Sequence, residues 1–178
     1  MLIRRPTRLI VFLALLAAGA CSAGAQPGRR SPRGTVTQTV NGTAISIRYY
    51  RPVLRGRTPF PSIVTWGRTW TPGADSATRF ESDGPLEIEG HALPPGRYSL
   101  WVVPSETEPW TVIFNKTADA FHLSYDESQD ALRVQTRPTT SQQSVETLEL
   151  SFPMVDADSA LMQLRWGTIV VPLHIRAR

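Results

Sequence analysis

Hydrophobic and polar positions alternate along most of this chain after residue 34. In residues 43–50 the apolar side chains Ile45, Ile47 and Tyr49 fall on one face, and polar or exposed positions fall between them. The same period of two returns in residues 145–152 and near the end of the chain, whereas no stretch keeps helical periodicity for three turns. This alternation predicts β-strands that have one buried face and one solvated face.

Turn-forming residues separate many of these alternating segments. Asn41-Gly42 lies between the first two, and this dipeptide strongly favours a two-residue hairpin turn. We therefore predict an all-β fold, a single antiparallel β-sandwich of jelly-roll, immunoglobulin-like or barrel-like form with about ten strands. A short helix is expected near residues 118–121. The predicted strands are 35–40, 43–50, 77–82, 86–89, 97–103, 110–115, 132–136, 145–152, 160–166 and 168–175.

The beginning of the chain has the composition of an export signal. Arginines precede an unbroken apolar run over residues 9–18, which is shorter than a membrane-spanning helix requires. Residues 1–25 are therefore predicted to be a signal peptide, with small residues up to Ala25 as an ordinary cleavage site. A second possible site precedes Cys21, the only cysteine, in a segment that resembles a bacterial lipobox. Lipidation of Cys21 and its removal with the signal peptide both stay open.

Residues 26–34 contain Pro, Gly and three arginines and predict a flexible basic tether before a folded domain at 35–178. We expect this domain outside the cytoplasm. We expect it in the periplasm or, as a lipoprotein, anchored to the outer membrane through Cys21, and otherwise secreted. If Cys21 is lipidated, the protein reaches the membrane surface through its N-terminus. The tether arginines can then contact anionic headgroups, although a solvated linker is the favoured interpretation of this segment.

The charge of the chain supports this division. The whole chain carries 19 basic and 15 acidic residues and a net charge of +4. Three basic residues lie in the signal peptide and three in the tether, so residues 35–178 carry 13 basic residues against all 15 acidic ones, a net charge of −2. A nucleic-acid-binding domain needs a basic face of its own, and we predict no nucleic-acid partner.

One long segment, residues 51–75, breaks the alternation with repeated Pro and Gly. Long loops in compact domains are often functional, and this one carries arginine and tryptophan. Arginine binds carboxylates, phosphates or sulfates with a planar fork, and tryptophan offers a flat face to sugars or cations. In the alternative interpretation the tryptophans close one end of the sandwich and the arginines pair with nearby acids. The candidate ligand-binding residues are Arg51, Arg55, Arg57, Trp66, Trp70 and Asp75.

Recognisable catalytic signatures are missing from the sequence. It has no G-x-S-x-G, no H-E-x-x-H and no glycine-rich phosphate loop, and His91, His122 and His174 share no ligand spacing. We therefore predict no catalytic residue, no metal site and no cofactor. A triad assembled only in space stays open. Tyr98, which follows a Pro-Pro-Gly turn, is expected to donate its hydroxyl to the backbone, as tyrosines do at sandwich corners.

Short motifs in the same order along nearly the whole mature chain resemble one bacterial family. They are Tyr50-Arg51-Pro52, Arg55-Gly56-Arg57, Trp70-Thr71-Pro72-Gly73-Ala74-Asp75, Leu93-Pro94-Pro95-Gly96-Arg97-Tyr98, Trp110-Thr111-Val112-Ile113-Phe114-Asn115-Lys116, Tyr125-Asp126 and Leu132-Arg133-Val134. Together they resemble domain of unknown function 2911. The resemblance implies an exported bacterial protein and supplies no activity.

The chain departs from the pattern of that family at three positions. The family usually has arginine where this chain has Thr71, asparagine where it has Asp75 and an acid where it has Ser76. A contact made by that arginine in relatives cannot be made here in the same way.

These observations predict an exported cell-envelope module that binds a small ligand, a glycan or a protein partner through residues 51–75 and is not expected to be an enzyme. Two alternatives remain. An unrecognised envelope hydrolase requires a cleft that joins a histidine to a carboxylate or a serine. A purely structural component of an envelope assembly requires an exposed apolar patch.

Overall fold

The computed structural model of this chain describes residues 31–178. The predicted signal peptide, both cleavage sites, Cys21 and most of the tether lie outside these residues. The described part has ten strands, and the first begins at Arg33, inside the segment predicted as tether. The strands are β1 (Arg33–Val40), β2 (Thr43–Tyr50), β3 (Thr78–Ser82), β4 (Leu86–Ile88), β5 (His91–Leu93), β6 (Gly96–Val103), β7 (Trp110–Asn115), β8 (Asp130–Thr136), β9 (Thr139–Val155) and β10 (Ser159–Ala177).

The strands form two antiparallel sheets that pack face to face. One sheet has six strands in the order β1-β2-β3-β6-β7-β8, and the other has four in the order β5-β4-β10-β9. The inward side chains of both sheets share one buried core, in which Ile47, Phe80, Phe114 and Leu148 are fully enclosed. The prediction of an all-β sandwich of about ten strands is confirmed. The barrel-like form is not, because the two sheets do not join into a closed barrel.

The first hairpin forms as its sequence predicts. Asn41 and Gly42 have φ values of 46° and 78°, which are the left-handed values that this two-residue turn needs. They place Val40 opposite Thr43, and the register then runs unbroken to the pair of Arg33 and Tyr50. Since the side chains alternate, this register buries the apolar face of β2 completely.

In the four-stranded sheet the strand boundaries differ from the prediction. β10 is one strand of 19 residues and not two, because Gly167 takes a φ of 60° inside a run of register shifts that lets the strand continue. The short strand β5 carries little alternation and was not predicted. Because two predicted strands merge into β10 and the unpredicted β5 is added, the number of strands is still ten.

Residues 116–129, here called the flap, cross the outer face of the six-stranded sheet. The helix predicted at residues 118–121 is wrong, because this part of the flap forms turns. The amide of Ala77 donates to the carbonyl of Ala120 at 3.0 Å, which fixes the flap to the sheet. Ala120 packs with Trp101 and Ile113 in a second, smaller apolar cluster. The alternation predicts that the outer face of the six-stranded sheet contacts solvent, but the flap shields part of this face.

Two smaller observations complete the fold. The hydroxyl of Tyr98 donates to the carbonyl of Pro94 at 2.8 Å, which confirms the expected tyrosine–backbone bond. Within residues 31–178 no helix has the length and apolarity needed to cross a membrane.

Candidate functional site

Residues 51–75 close one end of the sandwich with an aromatic cluster centred on Phe60. The ring of Trp66 stacks on Phe60 at 5.1 Å with 14° between the planes, and Trp110 meets Phe60 edge-on at 4.8 Å. Trp70 stacks on Trp166 of β10 at 5.7 Å and 11°. Trp66 and Trp70 nevertheless stay half-buried, so each keeps part of its ring at the surface.

Two of the three arginines proposed for a ligand donate to backbone carbonyls around the loop. The guanidinium of Arg51 donates to the carbonyl of Leu148 at 3.1 Å, and that of Arg57 donates to the carbonyl of Leu54 at 2.9 Å. Arg55 has a φ of 53° and an exposed side chain. Within residues 31–178 none of the three guanidinium groups forms an ion pair. Two of these side chains therefore stabilise the loop through backbone carbonyls and not through the acid pairing that the alternative expected.

Asp75 and its neighbours lie at the end of this loop. Asp75 has a φ of 65°, and its Oδ2 atom is buried without a hydrogen-bond partner among the described residues. Thr71 is buried, donating its hydroxyl to the carbonyl of Leu100 at 2.8 Å and accepting the amide of Thr78 at 2.9 Å. Thr71, the position at which the family resemblance implies an arginine, is thus packed into the domain.

Of the six predicted residues, Trp66 is the one that lines any of the three clefts described below, all within residues 31–178. The cleft at Trp66 has a volume of about 260 Å³ and lies between Trp66, the loop 104–109 and residues 137–140. A second cleft of about 370 Å³ adjoins it, because Arg137 lines both. We call the two together the side groove. Its charged, amide-bearing and aromatic lining residues are Trp66, Glu106, Glu108, Trp110, Arg137, Gln135, Glu89 and His174.

Acidic groups outnumber basic ones in the side groove. Glu106 and Glu108 are exposed beside Trp66, and Arg137 is the basic residue of the lining. The indole nitrogen of Trp110 donates to the carbonyl of Ser105 at 2.7 Å and so anchors the loop that carries both acids. A negative lining disfavours anions and favours neutral, hydroxyl-rich or cationic ligands.

One histidine meets a carboxylate in this groove. Oε1 of Glu89 accepts the backbone amide of His174 at 2.6 Å and lies 3.2 Å from its Nδ1 atom. The nearby Thr136 hydroxyl donates to the carbonyl of Pro172 at 2.6 Å, so its proton is already engaged. Among the described residues no group of three or more His, Cys, Asp or Glu has a metal-binding arrangement.

A third cleft, here called the basic cleft, lies between the flap and the strands β1 to β3. It has a volume of about 370 Å³. Its charged lining consists of three arginines from three different strands and one flap carboxylate. The charged and hydroxyl-bearing lining residues are Arg33, Arg48, Arg79, Asp119, Tyr49, Tyr50, Ser76 and Thr35.

A comparison with protein-family models matches residues 31–175 of the chain to a family described as a protein of unknown function, DUF2911. The chain belongs to the DUF2911 family. The match includes every residue that lines the three clefts, so the clefts lie within the DUF2911 domain. No curated protein and no solved structure matches the chain.

Sequence reasoning missed most residues of both the side groove and the basic cleft of this DUF2911 domain. Glu106, Glu108 and Arg137 look like ordinary loop residues, because nothing in their spacing shows that the two loops meet. Arg48 and Arg79 are 31 positions apart, and only the register of β2 against β3 places them together. A correct pairing of those strands from sequence is the signal that would have found the basic cleft.

Proposed function

We propose that this DUF2911 domain is an exported cell-envelope module that binds a glycan or a similarly hydroxyl-rich ligand in the side groove without catalysing a reaction. The observation that carries the proposal is the position of Trp66, which is half-buried at the side groove beside Glu106, Glu108 and Arg137. The loop 51–75 predicted from sequence thus keeps a role in binding, but through Trp66 and not through its arginines.

The chemistry of the groove supports a sugar-like ligand. A tryptophan ring held against Phe60 is a rigid apolar surface on which the face of a sugar ring can stack. Carboxylates accept hydrogen bonds from hydroxyl groups, and the guanidinium of Arg137 donates them. Small-molecule sites usually have volumes of about 300–1,000 Å³. The cleft of about 370 Å³ falls within that range, and the adjoining cleft at Trp66, of about 260 Å³, lies just below it.

The cellular location is part of the same proposal and rests on the sequence of residues 1–25. An apolar run behind arginines, followed by small residues, supports export. Whether Cys21 is lipidated is tested by the intact mass of the protein extracted from membranes. A mass that begins at Cys21 and includes acyl chains supports an anchored module, whereas a mass that begins at Gln26 supports a soluble one. A mass of the uncleaved chain in the cytoplasm contradicts export.

Ligand binding is tested by screening the full-length protein against envelope oligosaccharides by calorimetry. Trp66→Ala and Arg137→Ala are each expected to weaken binding of a positive oligosaccharide at least tenfold. Trp70→Ala is the matched control, since Trp70 is also a half-buried tryptophan of the same aromatic cluster but does not line the groove. Binding that survives both groove substitutions unchanged, or no binding by any oligosaccharide, contradicts the proposal.

A hydrolase is a second candidate, and the hydrogen-bonded pair of Glu89 and His174 favours it. A carboxylate that orients an imidazole is the arrangement of a general base, which here would activate water. Glu89→Gln and His174→Ala are then expected to abolish hydrolysis of an envelope oligosaccharide that the groove binds. Unchanged product formation in both variants, or no hydrolysis by the unmodified protein, rules this candidate out.

A further inference from the structure

Arg48 of β2 and Arg79 of β3 are direct partners in the register of the six-stranded sheet. Directly opposed residues of an antiparallel pair project from the same face, and like charges in this position destabilise the sheet. A third arginine, Arg33 of β1, lines the same cleft. We propose that the basic cleft is a binding site for a small oxyanion, a phosphate or carboxylate group, which the three guanidinium groups hold between β1–β3 and the flap.

The first reason is that one side of the cleft is arranged before any ligand arrives. The Nε atom of Arg33 donates to the hydroxyl of Tyr50 at 3.0 Å, and its guanidinium lies 5.4 Å from the centre of the Tyr50 ring. Arg33 and Tyr50 are also direct partners between β1 and β2. An arginine fixed by its Nε atom still presents its terminal nitrogens, the donors that form paired hydrogen bonds to oxyanions.

The second reason is that a carboxylate already pairs with one of the arginines. Asp119 of the flap forms an ion pair with Arg79. The Asp119 side chain is 67% exposed, whereas that of Arg79 is 23% exposed. Arg79 is therefore a half-buried cation whose counter-ion is a solvent-exposed side chain. A ligand oxyanion can replace the Asp119 carboxylate on Arg79 without leaving a buried charge unpaired.

The third reason is that Arg48 is weakly neutralised. Its contact with Glu81 measures 3.4 Å, and the side chains of Arg48 and Glu81 are 57% and 37% exposed. Surface ion pairs of this kind contribute little, because water competes for both partners. Glu81 does not line the cleft, so the charged lining is Arg33, Arg48, Arg79 and Asp119. This lining is cationic inside a domain whose net charge is negative.

A phosphate can reach this site free in solution or as part of a lipid headgroup. The flap supports the second source, because Phe121 and Leu123, just beyond Asp119, have exposed fractions of 53% and 77%. β1 begins at Arg33, so the predicted tether joins the domain at a residue that lines the basic cleft. The recognition chemistry at the three arginines is the same in both cases, so the experiment is designed to separate them.

The first arm titrates inorganic phosphate into the full-length protein at constant ionic strength and follows backbone amide shifts by NMR. We expect saturable shifts at β1–β3 and the flap, a loss of affinity of at least tenfold in Arg79→Ala and in Arg48→Ser, and tighter binding in Asp119→Asn. Arg176→Ala is the control, because Arg176 pairs with Asp158 away from the cleft. Thermal unfolding of each variant and the charge-preserving Arg79→Lys separate loss of the site from loss of the fold.

The second arm measures binding to vesicles of phosphatidylcholine with and without phosphatidylglycerol. The site is assigned to a lipid headgroup if two conditions hold. Vesicle binding must require the anionic lipid, and it must fall at least tenfold both in Arg79→Ala and in a Phe121→Ser/Leu123→Ser double variant. If phosphate binds in solution with the same affinity in the double variant as in the unmodified protein, and vesicles do not bind, the site is assigned to a free anion. If neither probe binds, or if Arg79→Ala and Arg176→Ala behave alike with the probes that do, the oxyanion site is overturned. Neither result affects the side groove, which shares no residue with this cleft.

Discussion

The rings of Trp70 and Trp166 lie parallel, with their centres 5.7 Å apart and 11° between their planes. Trp70 belongs to the loop 51–75, and Trp166 is a fully buried residue of β10. The backbone of Trp70 also bonds to that of Val102 in β6, at 2.7 and 2.8 Å. The loop is therefore joined to both sheets, and its aromatic residues close the core as well as bordering a groove.

Replacing Trp70 with alanine is expected to destabilise the domain. The change removes a stack on Trp166 and an edge contact with Phe60, and leaves a cavity at the end of the core. Because Trp70 is half-buried, we expect a loss of about 2–3 kcal/mol in the free energy of unfolding. This corresponds to a fall of about 5–10 °C in the melting temperature. Calorimetry measures it, with Leu123→Ser, an exposed apolar position, as a control that should change little.

Replacing Gly167 with alanine is expected to strain β10. Gly167 has a φ of 60°, and an added Cβ atom would lie 3.0 Å from the ring of Pro59. Gly90 is a matched control, because its φ is 79° but an added Cβ meets nothing within 4 Å. Left-handed backbone alone costs an alanine about 1–2 kcal/mol. Denaturant titration should therefore show a larger loss in the free energy of unfolding for Gly167→Ala than for Gly90→Ala. Equal losses would show that a small shift of Pro59 relieves the contact without an energetic cost.

Replacing Tyr98 with phenylalanine tests the corner bond to Pro94. The substitution keeps the buried ring against Phe114 and removes only the hydroxyl that donates to the Pro94 carbonyl. A hydrogen bond of this type contributes about 1 kcal/mol. The midpoint of urea unfolding should fall accordingly, with an unchanged dependence on urea concentration. A variant as stable as the original protein would mean that water replaces the bond without cost.

The pH dependence of stability should show the contribution of Tyr125, which holds the flap. Its hydroxyl donates to Asp130 at 2.7 Å, and Arg133 donates to both residues. Burial raises the pKa of the Tyr125 hydroxyl, and the hydrogen bond to Asp130 raises it further. In the unfolded chain the same group loses its proton near its ordinary pKa of about 10. Rising pH above that value therefore stabilises the unfolded state, and the free energy of unfolding falls.

Tyr125→Phe removes this ionisation and should make the decline above pH 10 less steep. The comparison is made by denaturant titration at several alkaline pH values. Tyr98→Phe is the companion variant, because burial raises the pKa of Tyr98 as well. Identical pH profiles for Tyr125→Phe and the unmodified protein would show that Tyr125 titrates alike in the folded and unfolded chains.

Local features of the sequence were sufficient to predict the strands of the six-stranded sheet. The turn at Asn41-Gly42 and the alternation that follows it fix the register of β1 and β2, since a slip of one residue would expose Ile45 and Ile47. The short helix expected at residues 118–121 of the flap does not form, and this segment has no periodicity of its own. What orders it is contact with Trp101 and Ile113, which lie elsewhere in the chain.

The sequence by itself determined that this chain folds as an antiparallel β-sandwich and which of its faces are apolar, because those properties follow from neighbouring residues. It also marked the loop 51–75 as unusual. Only the tertiary structure decided that Trp66 borders a groove while Trp70 packs on Trp166, and that Arg48 faces Arg79. Both candidate sites depend on which strands and loops become neighbours, and pairing between distant segments leaves no local pattern in the sequence.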